Sequence, residues 1–230
     1  MGVDGDADET SNQARERLLV MGEIAAEVAH ELRNVLQLIT ANTYLARQDP
    51  ASSGPVLLKI ERSARLAHAI VDDLMSLARG EAARAEPTLL AEILVAARTD
   101  IAPEAAVWKD AVSPVDLRVR AHPGLAGRLL HTLYENAISV SSPRAPTILT
   151  RAHVDGDAVL VEIADDGPGV PKDIAARIFD PLVTGRSGGT GLGLALARRI
   201  AAAHGGSIVL VDPPDPGQGA CFHIRLPVGG

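Results

Sequence analysis

Aromatic side chains are scarce in this chain: one Trp, two Tyr and two Phe among 230 residues. Packing must therefore come from Leu, Val, Ile and Ala, which suits closely packed helices, and a hydrophobic content of 47% is ample for a core. Cysteine is rarer still. The lone Cys221 supplies no disulfide framework and no zinc cluster, and its place in a late strand pattern reads as a small core residue. No apolar run approaches the roughly 18 residues needed to span a bilayer, so no membrane insertion is expected. A dense basic run is also missing and the net charge is −7, which argues against a nucleic-acid surface. The opening residues, Met1 to Gln13, are acidic and polar, the opposite of a secretory signal. These absences lead to the expectation of a soluble, cytoplasmic protein with a flexible tail over residues 1–12.

What the chain does have, near its start, is helical periodicity. Leu18, Met21, Ala25, Val28, Leu32, Val35 and Ile39 recur at alternating steps of three and four, a seam of coiled-coil type. His30 lies about 200° round a helix from Val28 and so points away from the seam, with Glu31 beside it. A histidine displayed on a rigid helix next to a carboxylate can act as a nucleophile. The first helix is expected over residues 13–47, with loop signals at Asp49-Pro50 and Ser52 to Pro55. A second helix carries Ile60, Ala64, Ala67, Val71, Leu74 and Ala78 at the same steps. The two make an antiparallel hairpin over residues 13–84. Each helix has a further apolar flank, including Leu36, Leu38, Leu57 and Leu66, more than one hairpin can cover. A homodimer closing a four-helix bundle would cover it; a monomeric helical domain packed on the rest of the chain is the alternative.

The character of the sequence changes after a linker at residues 80–87. A capped helix is expected from Thr88, then strands at Ala106 to Val112 and Val115 to Arg120 around a Ser113-Pro114 turn. Gly124 to Val140 reads as a helix with Leu125, Leu129, Leu133 and Ala137 on one face. A hairpin follows, Thr147 to Val154 and Ala158 to Ala164, then a Gly-rich region, a helix ending near His204, and strands at Ser207 to Val211 and Ala220 to Leu226. Residues 85–230 thus read as an α+β two-layer sandwich, helices on one face of a mixed sheet.

Three stretches of this second part can carry chemistry. In Tyr134-Glu135-Asn136-Ala137, the Asn amide oxygen is a hard, neutral ligand able to complete a Mg²⁺ shell beside phosphate oxygens, although an Asn within a helix is commonly just solvated. Asp165-Asp166-Gly167-Pro168-Gly169 follows a strand, and its glycines allow a backbone to pass close to a flat ligand; a plain strand-ending turn would look the same. Gly188 to Leu194, reading GGTGLGL, opens the last helix, where glycines expose backbone N–H groups as a phosphate cradle. It is neither a Walker motif nor a dinucleotide fingerprint, and a ligand-free glycine hinge is the competing reading. Order and spacing together separate these alternatives.

From about Arg17 to Pro227 the chain resembles the catalytic core of the sensor histidine kinases of two-component signalling. The resemblance rests on five blocks in family order: His30-Glu-Leu-Arg-Asn, Glu135-Asn136-Ala137, Asp165-Asp-Gly-Pro-Gly, Ile178-Phe-Asp-Pro and Gly189-Thr-Gly-Leu-Gly-Leu. It implies a dimerising phosphoacceptor hairpin followed by a Bergerat-type ATP-binding sandwich. By position, His30 would attack the γ-phosphate of ATP and Glu31 would orient its ring. Asp165 would accept from the adenine amino group, while Gly167 and Gly169 let the chain turn under the base. Asn136 would hold Mg²⁺. Gly189, Thr190, Gly191, Leu192 and Gly193 would surround the phosphates, beneath a lid from Pro171 to Gly188. The resemblance further implies transfer to an aspartate of a response-regulator receiver domain. Asn34, one turn beyond His30, would position a water for dephosphorylating that partner. Input would arrive from an upstream sensory partner protein, the N-terminal tail or a region outside this sequence.

The departures from the family pattern are Val35 where Pro is usual, Thr132 where a second Asn is usual, Ile138-Ser139-Val140 where a basic residue is common, and His122 where an Asp is common. They motivate one rival, a scaffold that binds a regulator without phosphorylating it. A second rival is a hydrolase of the gyrase or Hsp90 type. Those enzymes need a Glu one turn before the Mg²⁺ Asn, where this chain has Thr132, with Glu135 about 100° away.

Overall fold

The computed structural model describes residues 32–33, 35–48, 53–61, 63–64, 67, 71, 84–180, 183–185, 191, 193–213 and 219–230. The chain divides into two compact units, Met1–Arg79 and Gly80–Gly230. In the first unit residues 35–48 and 54–61 are helical. Residues 32, 35, 39, 42 and 46 are the less exposed ones on the first stretch, and 56, 60, 63, 64 and 67 on the second. Positions 32, 35 and 39, and 60, 64 and 67, are those of the expected seam, whereas Val71, expected on it, is 39% exposed. Polar residues of this helix spend their side chains locally: Thr40, Asn42 and Thr43 each donate to the carbonyl four residues back, at 2.8, 2.9 and 2.7 Å. The flanking leucines stay open, with Leu36 56%, Leu38 49%, Leu57 49% and Leu58 61% exposed.

The second unit opens with a strand, β1 (Glu86–Leu89), and a helix, α1 (Leu90–Arg98). The end of the expected linker, residues 86–87, and the helix start at Thr88 are thereby corrected, while residues 80–83 lie outside the described residues. Pro87 has no N–H for a helix or a central strand, yet an edge strand tolerates it, and the Thr88 hydroxyl donates to the carbonyls of Glu86 and Ala121 rather than capping a helix. Then come β2 (Val107–Val112), β3 (Arg118–Ala121), α2 (Pro123–Ser141), β4 (Thr147–Asp155), β5 (Ala158–Asp165), the single turn α3 (Lys172–Ala175), α4 (Gly193–Ala203), β6 (Ser207–Val211) and β7 (Cys221–Pro227).

Five strands form a mixed sheet in the order β2-β4-β5-β7-β6, with β2 parallel to β4 and all other pairs antiparallel. β3 does not hairpin with β2; it pairs with β1 in a separate two-stranded sheet. Alternation along β4 and β5 buries Ile148, Thr150 and Ala152, and Val159, Val161 and Ile163. Against that face pack Leu90, Ile93, Leu94 and Ala97 of α1, Leu125, Leu129, Leu133 and Ala137 of α2, and Ala197 and Ile200 of α4. Small alanines on α4 let it lie close to α2. Four of the five aromatic residues meet edge to face, Trp108 with Tyr134 at 4.9 Å and Phe179 with Phe222 at 6.2 Å.

Candidate functional site

β5 ends on Asp165, only 6% exposed, and the backbone around it holds the carboxylate in place. The Gly167 N–H donates to Oδ1 at 2.8 Å and the Ala220 N–H at 3.3 Å, while Gly219 N–H donates to the Asp165 carbonyl at 2.5 Å. Burial pushes the carboxyl above its ordinary range, and the two N–H bonds pull part of the way back. Side chains are excluded from this cradle. A Cβ on Gly167 would stand 2.8 Å from Asp165 Oδ1, and one on Gly219 would stand 2.5 Å from the same oxygen. Gly169, at φ +76°, turns the chain under the carboxylate in the left-handed region. Beside Gly167 lies the hydroxyl of Ser141, shielded from solvent and without a hydrogen-bond partner among the described residues. Asp165 Oδ2 likewise accepts no bond from a described residue. A buried acceptor and an orphaned hydroxyl converging on a glycine floor suit a flat, hydrogen-bonding ring.

The adjacent carboxylate has a different task. Asp166 takes the Arg144 guanidinium at 3.0 and 2.9 Å and the Thr147 N–H at 2.9 Å. Arg144 chiefly, with the Thr147 N–H, holds its pKa down at about 2. Asp166 fastens the start of β4; Asp165 is held by the Gly167 and Ala220 N–H groups.

α2 runs past this cradle. Asn136 is half-buried, and its amide bonds to no other described residue. One turn earlier, the Thr132 hydroxyl donates to the Arg128 carbonyl at 3.0 Å, and its methyl lies 2.9 Å from where a Gly193 Cβ would stand. The glycine-rich start of α4 thus abuts Thr132, and the Asp165 cradle abuts Ser141. Thr132 and Ser141 are nine steps apart, about 13.5 Å along the helix axis, with Asn136 between them.

Of the residues singled out by sequence, Asp165 and Gly167 meet at one end with Gly169 against Gly219, and Gly193 meets α2 at Thr132, one turn before Asn136; Gly191 stands at φ +70°. Gly189, Thr190 and Leu192 lie outside the described residues, as do His30, Glu31 and Asn34. Within the expected lid, Ile178 is 8% exposed and Phe179 packs on Phe222, so these two belong to the core. His131 turns from the site towards α1, its Nδ1 2.9 Å from the Ala97 carbonyl and its Nε2 3.7 Å from Glu135. Ser141, Gly219 and Ala220 were not legible as site residues. Their parts depend on β7 returning beside β5, and the Pro/Gly loop before Ala220 carries no motif.

Residues 122–230 match the model of the histidine kinase-, DNA gyrase B- and HSP90-like ATPases. The sensor histidine kinase ZraS of Klebsiella oxytoca is 32% identical over 94% of this chain and 48% of its own length; the chain spans about half the length of that curated relative. Among solved structures, the mycobacterial sensor histidine kinase MprB superposes at a TM-score of 0.53 and 26% identity, over 63% of this chain and 97% of that one. ShkA, solved in complex with AMPPNP, superposes at 0.56 and 25% identity over 90% of this chain and 46% of that one.

Proposed function

We propose, from the premise that the chain belongs to the histidine kinase catalytic cores of the histidine kinase-, DNA gyrase B- and HSP90-like ATPase family, that it is an ATP-dependent protein-histidine kinase. It phosphorylates its own His30 and passes the phosphoryl group to an aspartate of a response-regulator receiver domain. The observation that carries this reading is the Asp165 cradle: a buried carboxylate on bare backbone, one oxygen of which bonds to no described residue, beside a Ser141 hydroxyl that has no partner among the described residues. Asp165 accepts from an adenine amino group there, which favours ATP over GTP.

The donor set fits Mg²⁺. A single neutral amide oxygen, with phosphate oxygens and waters completing an octahedron, is a usual way to hold this ion, and the Asn136 amide bonds to no other described residue. When bound, the ion offsets phosphate charge in a loose in-line transfer. Gly191 and Gly193 leave the α4 backbone open to the phosphates, joined by Gly189, Thr190 and Leu192. Glu31 orients the His30 ring and Asn34 serves a phosphatase reaction on the regulator. The half-exposed Leu36, Leu38, Leu57 and Leu58 support a homodimer in which residues 13–84 of two chains close a four-helix bundle; we place it in the cytoplasm, with input from an upstream sensory partner.

Incubation with γ-labelled ATP and Mg²⁺ tests the assignment. The wild type is expected to acquire an acid-labile, base-stable label and His30→Gln none, with ATP binding retained. A labelled His30→Gln chain overturns it. The scaffold reading draws on Thr132, whose hydroxyl is spent on Arg128; an unlabelled wild type that still binds its regulator would favour it. Hydrolysis of the gyrase type lacks its base, because the Glu135 side chain is 67% exposed beside His131.

A further inference from the structure

Opposite the helices, the five-stranded sheet carries a cluster that nucleotide chemistry does not use. Strand alternation sets Cys221 and His223 on the same side of β7, and the β5–β7 register places Glu162 directly across from His223. His223 Nε2 lies 3.2 Å from Glu162 Oε2. With Cys221 Sγ, these atoms all fall within 4.8 Å of one another. Bond lengths of about 2.0–2.3 Å put two ligands of one tetrahedral zinc about 3.3–3.6 Å apart. The imidazole and carboxylate stand just short of that separation, and small side-chain rotations of all three residues would bring them to it. The other oxygen of Glu162 is held by Arg151 at 2.8 Å, which orients Oε2 towards the cluster as an outer-shell partner orients a metal ligand. Cys221 is fully buried, while the side chains of His223 and Glu162 are 29% and 14% exposed and provide the way in.

We propose that Glu162, Cys221 and His223 form a site for a zinc-class divalent cation, with water in the fourth position. A thiolate beside an imidazole selects a borderline-soft ion and disfavours Mg²⁺. The site is therefore distinct in chemistry from the nucleotide's metal, and it lies on the other side of the sheet from Asp165. Binding deprotonates the thiol and leaves the imidazole proton on Nδ1, so protons are released to solvent as the ion enters.

Titration of the full chain, chelator-treated and kept reduced, tests this. One equivalent of Zn²⁺ is expected to bind in competition with a chromophoric chelator. Co²⁺ is expected to give thiolate-to-metal charge-transfer absorption with the d–d bands of four-coordination. Cys221 is the only cysteine, so that absorption reports this site alone. Cys221→Ser should abolish it, and His223→Ala and Glu162→Gln should each weaken Zn²⁺ binding at least tenfold, with AMPPNP affinity unchanged. His223 is partly exposed, so its variant keeps the test decisive even where Cys221→Ser fails to fold. Absence of the charge-transfer absorption, or Zn²⁺ affinity unmoved by His223→Ala and Glu162→Gln, overturns the proposal.

Discussion

Two adjacent carboxylates, Asp165 and Asp166, acquire opposite properties from their surroundings. Burial raises one pKa, and the Arg144 guanidinium lowers the other. Asp165→Asn keeps an oxygen for the Gly167 and Ala220 N–H groups but loses the charged acceptor. ATP affinity measured by calorimetry is expected to fall by about 1.5–3 kcal/mol, the worth of a hydrogen bond to a charged group; unchanged affinity would place the adenine elsewhere. Histidines show the same dependence on place. His204, buried at the end of α4, donates from Nδ1 to the Ile200 carbonyl at 2.8 Å and accepts the His122 N–H on Nε2 at 3.0 Å. Only the neutral ring can do both, and burial lowers its pKa. Its contribution to stability is thus complete above the unfolded value of about 6.5 and is lost as pH falls below it. His131 has the opposite sign: its bond to Glu135 raises its pKa, so its contribution is present at low pH and lost on raising it. The urea midpoint of His204→Gln is expected to lie below that of the wild type at pH 7 and to fall less steeply towards pH 5. Equal slopes would remove His204 from the acid response.

At the scale of elements, α2 and α4 approach so closely that Gly193 touches Thr132 through what would be a side chain. Gly193→Ala is expected to cost about 1–3 kcal/mol of stability as overpacking. Thr132→Ser, which deletes the methyl at 2.9 Å, is expected to recover most of that in the double variant. A denaturant-measured cycle showing simple additivity would refute the contact. The periodic elements α1, α2, β4, β5 and β7 were legible because alternation or a helical stripe runs through each. β1 was not. Its four residues include Pro87 and have no pattern of their own, and they become a strand only because β3 offers a partner. Val115 to Leu117, read as strand, form the turn before Arg118, since β3 leaves β2 for a different sheet.

For the molecule as a whole, the leucines left open on the first unit, Leu36, Leu38, Leu45, Leu57 and Leu58 among the described residues, set the expectation of a dimer. Fully burying one such side chain is worth about 1.5–3 kcal/mol. Leu38→Glu with Leu57→Glu is therefore expected to weaken association by two orders of magnitude or more in sedimentation equilibrium, with the nucleotide site of the second unit intact. A wild type that sediments as a monomer would contradict the bundle. The likeness to histidine kinase catalytic cores and the order of the five blocks were legible in the sequence alone, because each block is short, local and chemically specific. The partner of a buried carboxylate, the orphaned Ser141 hydroxyl, and the meeting of Glu162, Cys221 and His223 were decided only by the tertiary structure. Each depends on strands and helices distant in sequence being brought together, and no local periodicity records which strand lies beside which.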